Sequence, residues 1–170
     1  GMGSSEGPGH DSEYDYQHIN YILDDLAGYG YTTHECHQSG GSATLMSSLI
    51  NAGSGTIFYC GHGTLTSWYT TSWQYTSTHV NALVNEYELP FVISVACVNG
   101  DFNGNTCYSE TWQRATNNGN PTGAIVNAGS TINQSWIPPM DAEDEMADIL
   151  VSGSKRTFAG VLACGLGKMI

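Results

Sequence analysis

Basic residues are scarce in this chain. Its 170 residues hold only four Lys and Arg (Arg114, Lys155, Arg156 and Lys168) against sixteen Asp and Glu, a formal charge of −12. A surface of that sign repels phosphate backbones, which excludes nucleic acid as an expected partner. It attracts cationic substrates and Ca²⁺ instead. Long apolar runs are missing too, so no membrane span is expected, and no signal peptide is visible. Charged residues make up 12% and hydrophobic residues 40%, the reverse of a disordered chain. The five cysteines, Cys36, Cys60, Cys97, Cys107 and Cys164, are an odd number, which excludes a fully paired framework and leaves at least one thiol. Nothing in the composition signals an oligomeric state.

The chain reads as one domain over residues 1–170, with residues 1–5 as a tag scar and loop. Ile19, Ile22, Leu23 and Leu26 fall at helical spacing, and Gly28 and Gly30 stop that helix. "YTTHECH" (31–37) has the content of a short strand, and "SATLMSSLINAG" reads as a capped helix. "GTIFYCG" (55–61) is an apolar strand, and "HGTLTSWYTTSWQYTS" (62–77) reads as a long aromatic loop. A helix from Thr78 carries Val80, Leu83, Val84 and Tyr87. "PFVISVAC" (90–97) is the most apolar strand. A helix near 108–117, a strand at 123–130, a loop "TINQSWIPPMDAE", a helix over 141–152 and a last helix from Thr157 complete the order. Short continuous apolar strands alternating with helices predict an α/β sandwich on a mainly parallel sheet. Sites in such sheets form beyond the carboxyl ends of the strands. The loops after "FYCGHG", "SVACVNG" and "NAGSTINQSW" therefore share one edge.

His62 directly follows one central strand and Cys97 ends the next. An imidazole beside a thiol stabilises the thiolate or protonates a leaving amine. Gly61 and Gly63 allow close backbone approach, and the amides of Gly63 and Cys97 are candidates to face an oxyanion. Spacing alone leaves two other readings open. Cys97 is a structural cysteine and His62 a loop residue in one. In the other, Cys60 and His62 ligate zinc with Cys36 and His34 or His37.

"YCGHGT", "LPFVISVACVNGDF", "NPTGAIVNAGSTINQSW" and "DAEDEMADIL" occur in this order, and with them the chain resembles the gingipain family of cysteine peptidases. The arginine-specific members are the most similar, and the likeness runs from about Glu6 to the C-terminus. The resemblance implies a caspase-like, three-layer α/β/α fold and an endopeptidase that cuts after arginine in protein or peptide substrates. It implies that Cys97 is the nucleophile, His62 its partner and Glu6 the acid that orients His62. Asp15 matches the floor of the specificity pocket, Trp136 its wall and Met140 a neighbour. Asp15 also reads as a cap of the helix that follows it, and Met140 as plain packing. No cofactor is implied for the chemistry. Structural Ca²⁺ is, with Asp141, Glu143, Asp144 and Glu145 as candidate acids, which otherwise favour a helix N-terminus. A secreted or cell-surface location follows from the same resemblance. Family catalytic regions are longer, so the chain is expected to be incomplete at both ends. An inactive fragment or binding module that keeps the arginine pocket is therefore a rival reading.

Overall fold

A computed structural model describes residues 1–169. In chain order the elements are β1 (Met2–Gly3), α1 (Asp15–Tyr29), α2 (Ala43–Asn51), β2 (Thr56–Cys60), β3 (His62–Thr64), β4 (Ser67–Tyr69), β5 (Gln74–Thr76) and α3 (Ser77–Asn81). β6 (Phe91–Val95), α4 (Tyr108–Arg114), β7 (Thr116–Asn117), β8 (Asn120–Pro121), β9 (Val126–Ala128), α5 (Ile137–Ser152) and α6 (Phe158–Leu166) follow.

The central sheet has the order β1-β2-β6-β9, and every pair is parallel. Side chains alternate across it, as strand geometry requires. Phe58, Cys60 and Ile93 enter one core cluster with Ile19, Ile22, Leu23 and Leu26 of α1, Met146 of α5 and Val161 of α6. Ile57, Tyr59 and Val92 enter the other, with Met46 and Ile50 of α2, Val80 of α3 and Trp112 of α4. The fold is thus a three-layer α/β/α sandwich, as expected. Burying each large side chain of these clusters contributes roughly 1.5–3 kcal/mol.

Several elements differ from the sequence reading. Within residues 1–5, Met2 and Gly3 form a strand and not a loop: Met2 is fully buried and β1 pairs Met2 with Tyr59 and Gly3 with Cys60. Residues 31–37 form no strand. They run beside β1, with the Cys36 amide donating to the Gly1 carbonyl and the Gln38 amide to that of Gly3. Residues 62–77 are not a loop but a three-stranded antiparallel sheet, β3-β4-β5. α3 ends at Asn81, short of Leu83. α5 begins four residues early, because prolines are tolerated in a first helical turn. Of the two glycines expected to stop α1, Gly30 does so, at φ 116°, while Gly28 lies within the helix.

Candidate active site

The register of the two central strands positions the site. Cys60 of β2 lies opposite Val95 of β6. His62 and Cys97 are each two residues further on, so both leave adjacent carboxyl ends of parallel strands. They line one cleft of about 20 Å³ together with Cys60, Ala96, Gln134 and Trp136. Both are half-buried.

Cys97 sits on a sharp exit from β6. The next residue, Val98, is β-branched yet has φ 49°, a strained conformation for such a side chain. Its amide donates to the Ile132 carbonyl at 3.1 Å. The Gln134 amide donates to Cys97 Sγ at 3.4 Å. The sequence carries no signal for this donor, because a backbone amide has no residue type.

The β3-β4-β5 sheet fixes the His62 side. Gly63 packs so closely on the Cys97 loop that a Cβ there would collide with the Cys97 carbonyl, Ala96 Cβ and Asn99 Nδ2. Asn99 is fully buried and ties the two parts together. Its Nδ2 donates to the carbonyls of Thr64 (2.6 Å) and Ser67 (3.1 Å). Its Oδ1 accepts from Ser94 Oγ at 3.0 Å, and Ser94 Oγ accepts the Trp68 indole N–H at 2.8 Å. Sequence reasoning did not single out Asn99, although it stands in the "ACVNG" motif.

Asp15 is the first residue of α1 and is fully buried. Its Oδ1 accepts the Trp136 indole N–H at 2.8 Å and its Oδ2 the Ser4 hydroxyl at 2.6 Å. Burial pushes its carboxyl up, and the hydrogen bonds from Ser4 and Trp136 oppose the rise. Trp136 meets the His62 ring edge-on at 5.3 Å. Asp15, Trp136, His62 and Cys97 are therefore contiguous. Met140 is fully buried in the helical cluster, against Gly9 and near Trp136, so it packs rather than lining open space. Glu6 is half-buried. Its amide donates to Ser4 Oγ and its carbonyl accepts from the Asp15 amide, but among the described residues no hydrogen bond joins its carboxylate to His62.

The expected zinc set does not assemble. Cys36 lies in one core cluster and Cys60 in the other, on opposite faces of the sheet. Cys60 is buried, and that burial, with the Asp15 charge beside it, pushes its thiol far up. All five cysteines are free.

The acidic run at 141–145 diverges instead of forming one cluster. Asp141 pairs with His10, Glu143 lies buried against His18, and Glu145 pairs with Lys168 at 3.2 Å. None of these acids is in the first turn of α5. Among the described residues, the one group with metal-binding spacing is Glu13, His18 and Asp144. His18 is fully buried between acids. Its Nδ1 bonds Glu13 Oε1 at 2.9 Å, and its Nε2 lies 3.3 Å from Glu143 Oε2. Burial pushes the imidazolium down, but Glu143, Asp144 and Glu13 outweigh it and hold His18 up at about 9.

The protein-family model described as peptidase family C25 matches residues 7–165. Gingipain R2 of Porphyromonas gingivalis is 42% identical over 171 residues, which covers 96% of this chain and 23% of that protein. Gingipain R1 of the same organism matches at the same identity, over 17% of its length. The crystal structure of the Arg-specific cysteine proteinase gingipain R is similar with a TM-score of 0.92 at 40% identity. That likeness covers 99% of this chain and 40% of the solved one. The chain thus spans less than a quarter of these curated relatives.

Proposed function

Because the chain belongs to peptidase family C25, we propose that it hydrolyses peptide bonds on the carboxyl side of arginine through Cys97 and His62. The observation that carries this reading is the β2–β6 register, from which His62 and Cys97 enter one cleft beside Trp136 and Asp15.

The Cys97 thiolate attacks the scissile carbonyl carbon, with the Gln134 amide beside the sulfur. Negative charge develops on the carbonyl oxygen, and the backbone amides of Gly63 and Cys97 receive it. His62 donates its proton to the leaving amine, and a thioester to Cys97 remains. Water then attacks the thioester, His62 takes up the proton, and the acid product leaves with the thiolate restored. Asp15 pairs with the arginine guanidinium, and the Trp136 ring stacks on it. Glu6 orients His62 in this reading, on the family resemblance. Turnover of peptide amide reporters with Arg, Lys or Ala before the scissile bond tests the whole. The Arg reporter should be cut fastest, and Cys97→Ala should abolish cleavage. An arginine ligand that binds without turnover would favour the binding-module reading instead.

Cysteine peptidases of this family need no cofactor for their chemistry. For structural Ca²⁺ the residues present fit only in part. Glu13 and Asp144 offer hard oxygen donors, but His18 between them is held protonated and cannot ligate in that state. Substrates are proposed to be protein or peptide chains met outside the cell, on the family resemblance. Among the described residues no helix is long and apolar enough to cross a membrane.

A further inference from the structure

The acid assigned to the arginine pocket is already capped. Both oxygens of the buried Asp15 accept a donor from the protein itself: Oδ2 from Ser4 and Oδ1 from the Trp136 indole N–H. Trp136 is held in that pose from several sides. Its ring meets the His62 ring edge-on, and Gly9 approaches so closely that a Cβ would stand 2.7 Å from Trp136 Cδ1. Trp136 lines the cleft with His62 and Cys97, whereas Asp15 does not and is fully buried against the indole. An arginine side chain therefore reaches Asp15 only after the indole N–H has left it.

We propose that Trp136 is a specificity-determining gate, whose N–H caps Asp15 in the free protein and is displaced by the substrate guanidinium. This rests on the arginine reading above. The exchange is one donor for another, so the buried carboxylate is never left bare, which would be costly. It also selects the ligand. A guanidinium returns the lost hydrogen bond and adds a charge and a second in-plane donor. An apolar side chain returns nothing and leaves the cap closed. The displaced indole keeps its ring face free to cover the guanidinium.

Calorimetric titration of N-acetyl-arginine amide into the Cys97→Ala chain, with and without Trp136→Phe, tests the gate. Phe keeps an aromatic wall but has no N–H to cap Asp15. The gate predicts binding tighter by about fivefold or more in the Phe variant, from loss of one charge-assisted competitor. A simple wall predicts the opposite sign, because the Phe face attracts a cation less than the Trp face does. Equal or weaker binding overturns the gate and leaves the arginine reading standing. No binding to either chain overturns that reading and the gate with it. The Cys97→Ala chain alone gives a second readout that does not depend on the Phe variant folding. Its assigned Trp136 indole N–H resonance in NMR should shift, and its proton should exchange faster with solvent at ligand saturation. An unchanged resonance overturns the gate.

Discussion

Ser4 is a small residue with a large effect on the pocket. Its hydroxyl donates to Asp15 Oδ2 and accepts from the Glu6 amide, so it joins the pocket acid to the segment that carries Glu6. Ser4→Ala takes a hydroxyl donor away from a buried carboxylate oxygen. Since burial already raises the Asp15 carboxyl, the substitution raises it further. The expected cost is about 1–3 kcal/mol of folding stability at neutral pH. That cost disappears at acid pH, where Asp15 is protonated in either chain. Urea denaturation of both chains across that range measures it, and a cost that does not vary with pH would count against the assignment. The same residue marks a limit of sequence reading. His62 and Cys97 were legible because each follows an apolar strand and stands in a distinctive motif. Ser4 was not, because a serine in a Gly- and acid-rich opening looks like any loop residue. Its partner Asp15 is eleven residues away and meets it only once β1 and α1 have packed.

At the scale of elements, the small β3-β4-β5 sheet was invisible in advance for a physical reason. Each strand has three residues, and together they are mostly Thr, Ser, Gln, Trp and Tyr, with no apolar alternation to betray a face. The sheet is held by buried polar bonds, above all those of Asn99, and by Trp68 stacked on Tyr59 with centroids 4.5 Å apart. β2 and β6, by contrast, declared themselves as continuous apolar runs buried on both faces. Two predictions belong here. Asn99→Ala strips donors from the Thr64 and Ser67 carbonyls and should cost roughly 2–4 kcal/mol in denaturant unfolding. It should also lower kcat more than it raises KM, because Gly63 moves relative to Cys97. Gly63→Ala forces a methyl into the Cys97 carbonyl and Asn99. It should leave the circular dichroism nearly unchanged while cutting turnover by on the order of 100-fold, the scale of losing one oxyanion donor. Normal turnover in Gly63→Ala would show that the amide has no such role.

Over the whole molecule, the alternation of helix and strand was enough to read the layered architecture, but not the charged cluster inside it. His18 lies on the buried stripe of α1, and Glu143, also fully buried, lies on that of α5. Glu143 is pushed up by burial, partly offset by His18, to about 7. Both groups are thus raised above their ordinary values of about 4.3 for Glu and 6.5 for His. A raised group stabilises the fold fully below its unfolded pKa and loses that contribution as pH rises through its folded one. Stability should therefore fall as pH rises from about 4.5 to 7 through Glu143 and from about 6.5 to 9 through His18. The His18 limb is worth up to about 3 kcal/mol. Urea midpoints taken with a chelator present should show that fall, and His18→Gln should flatten the upper limb. The central claim is that one thiol of five is the nucleophile and that His62 activates it. An arginyl chloromethyl ketone, a peptide-like reagent that alkylates an activated thiol, tests this directly when the adduct is mapped by mass spectrometry. A single adduct on Cys97 is expected, formed at least about tenfold more slowly in His62→Ala. An adduct on the half-buried Cys164 in place of Cys97, or a Cys97 rate indifferent to His62→Ala, would contradict it.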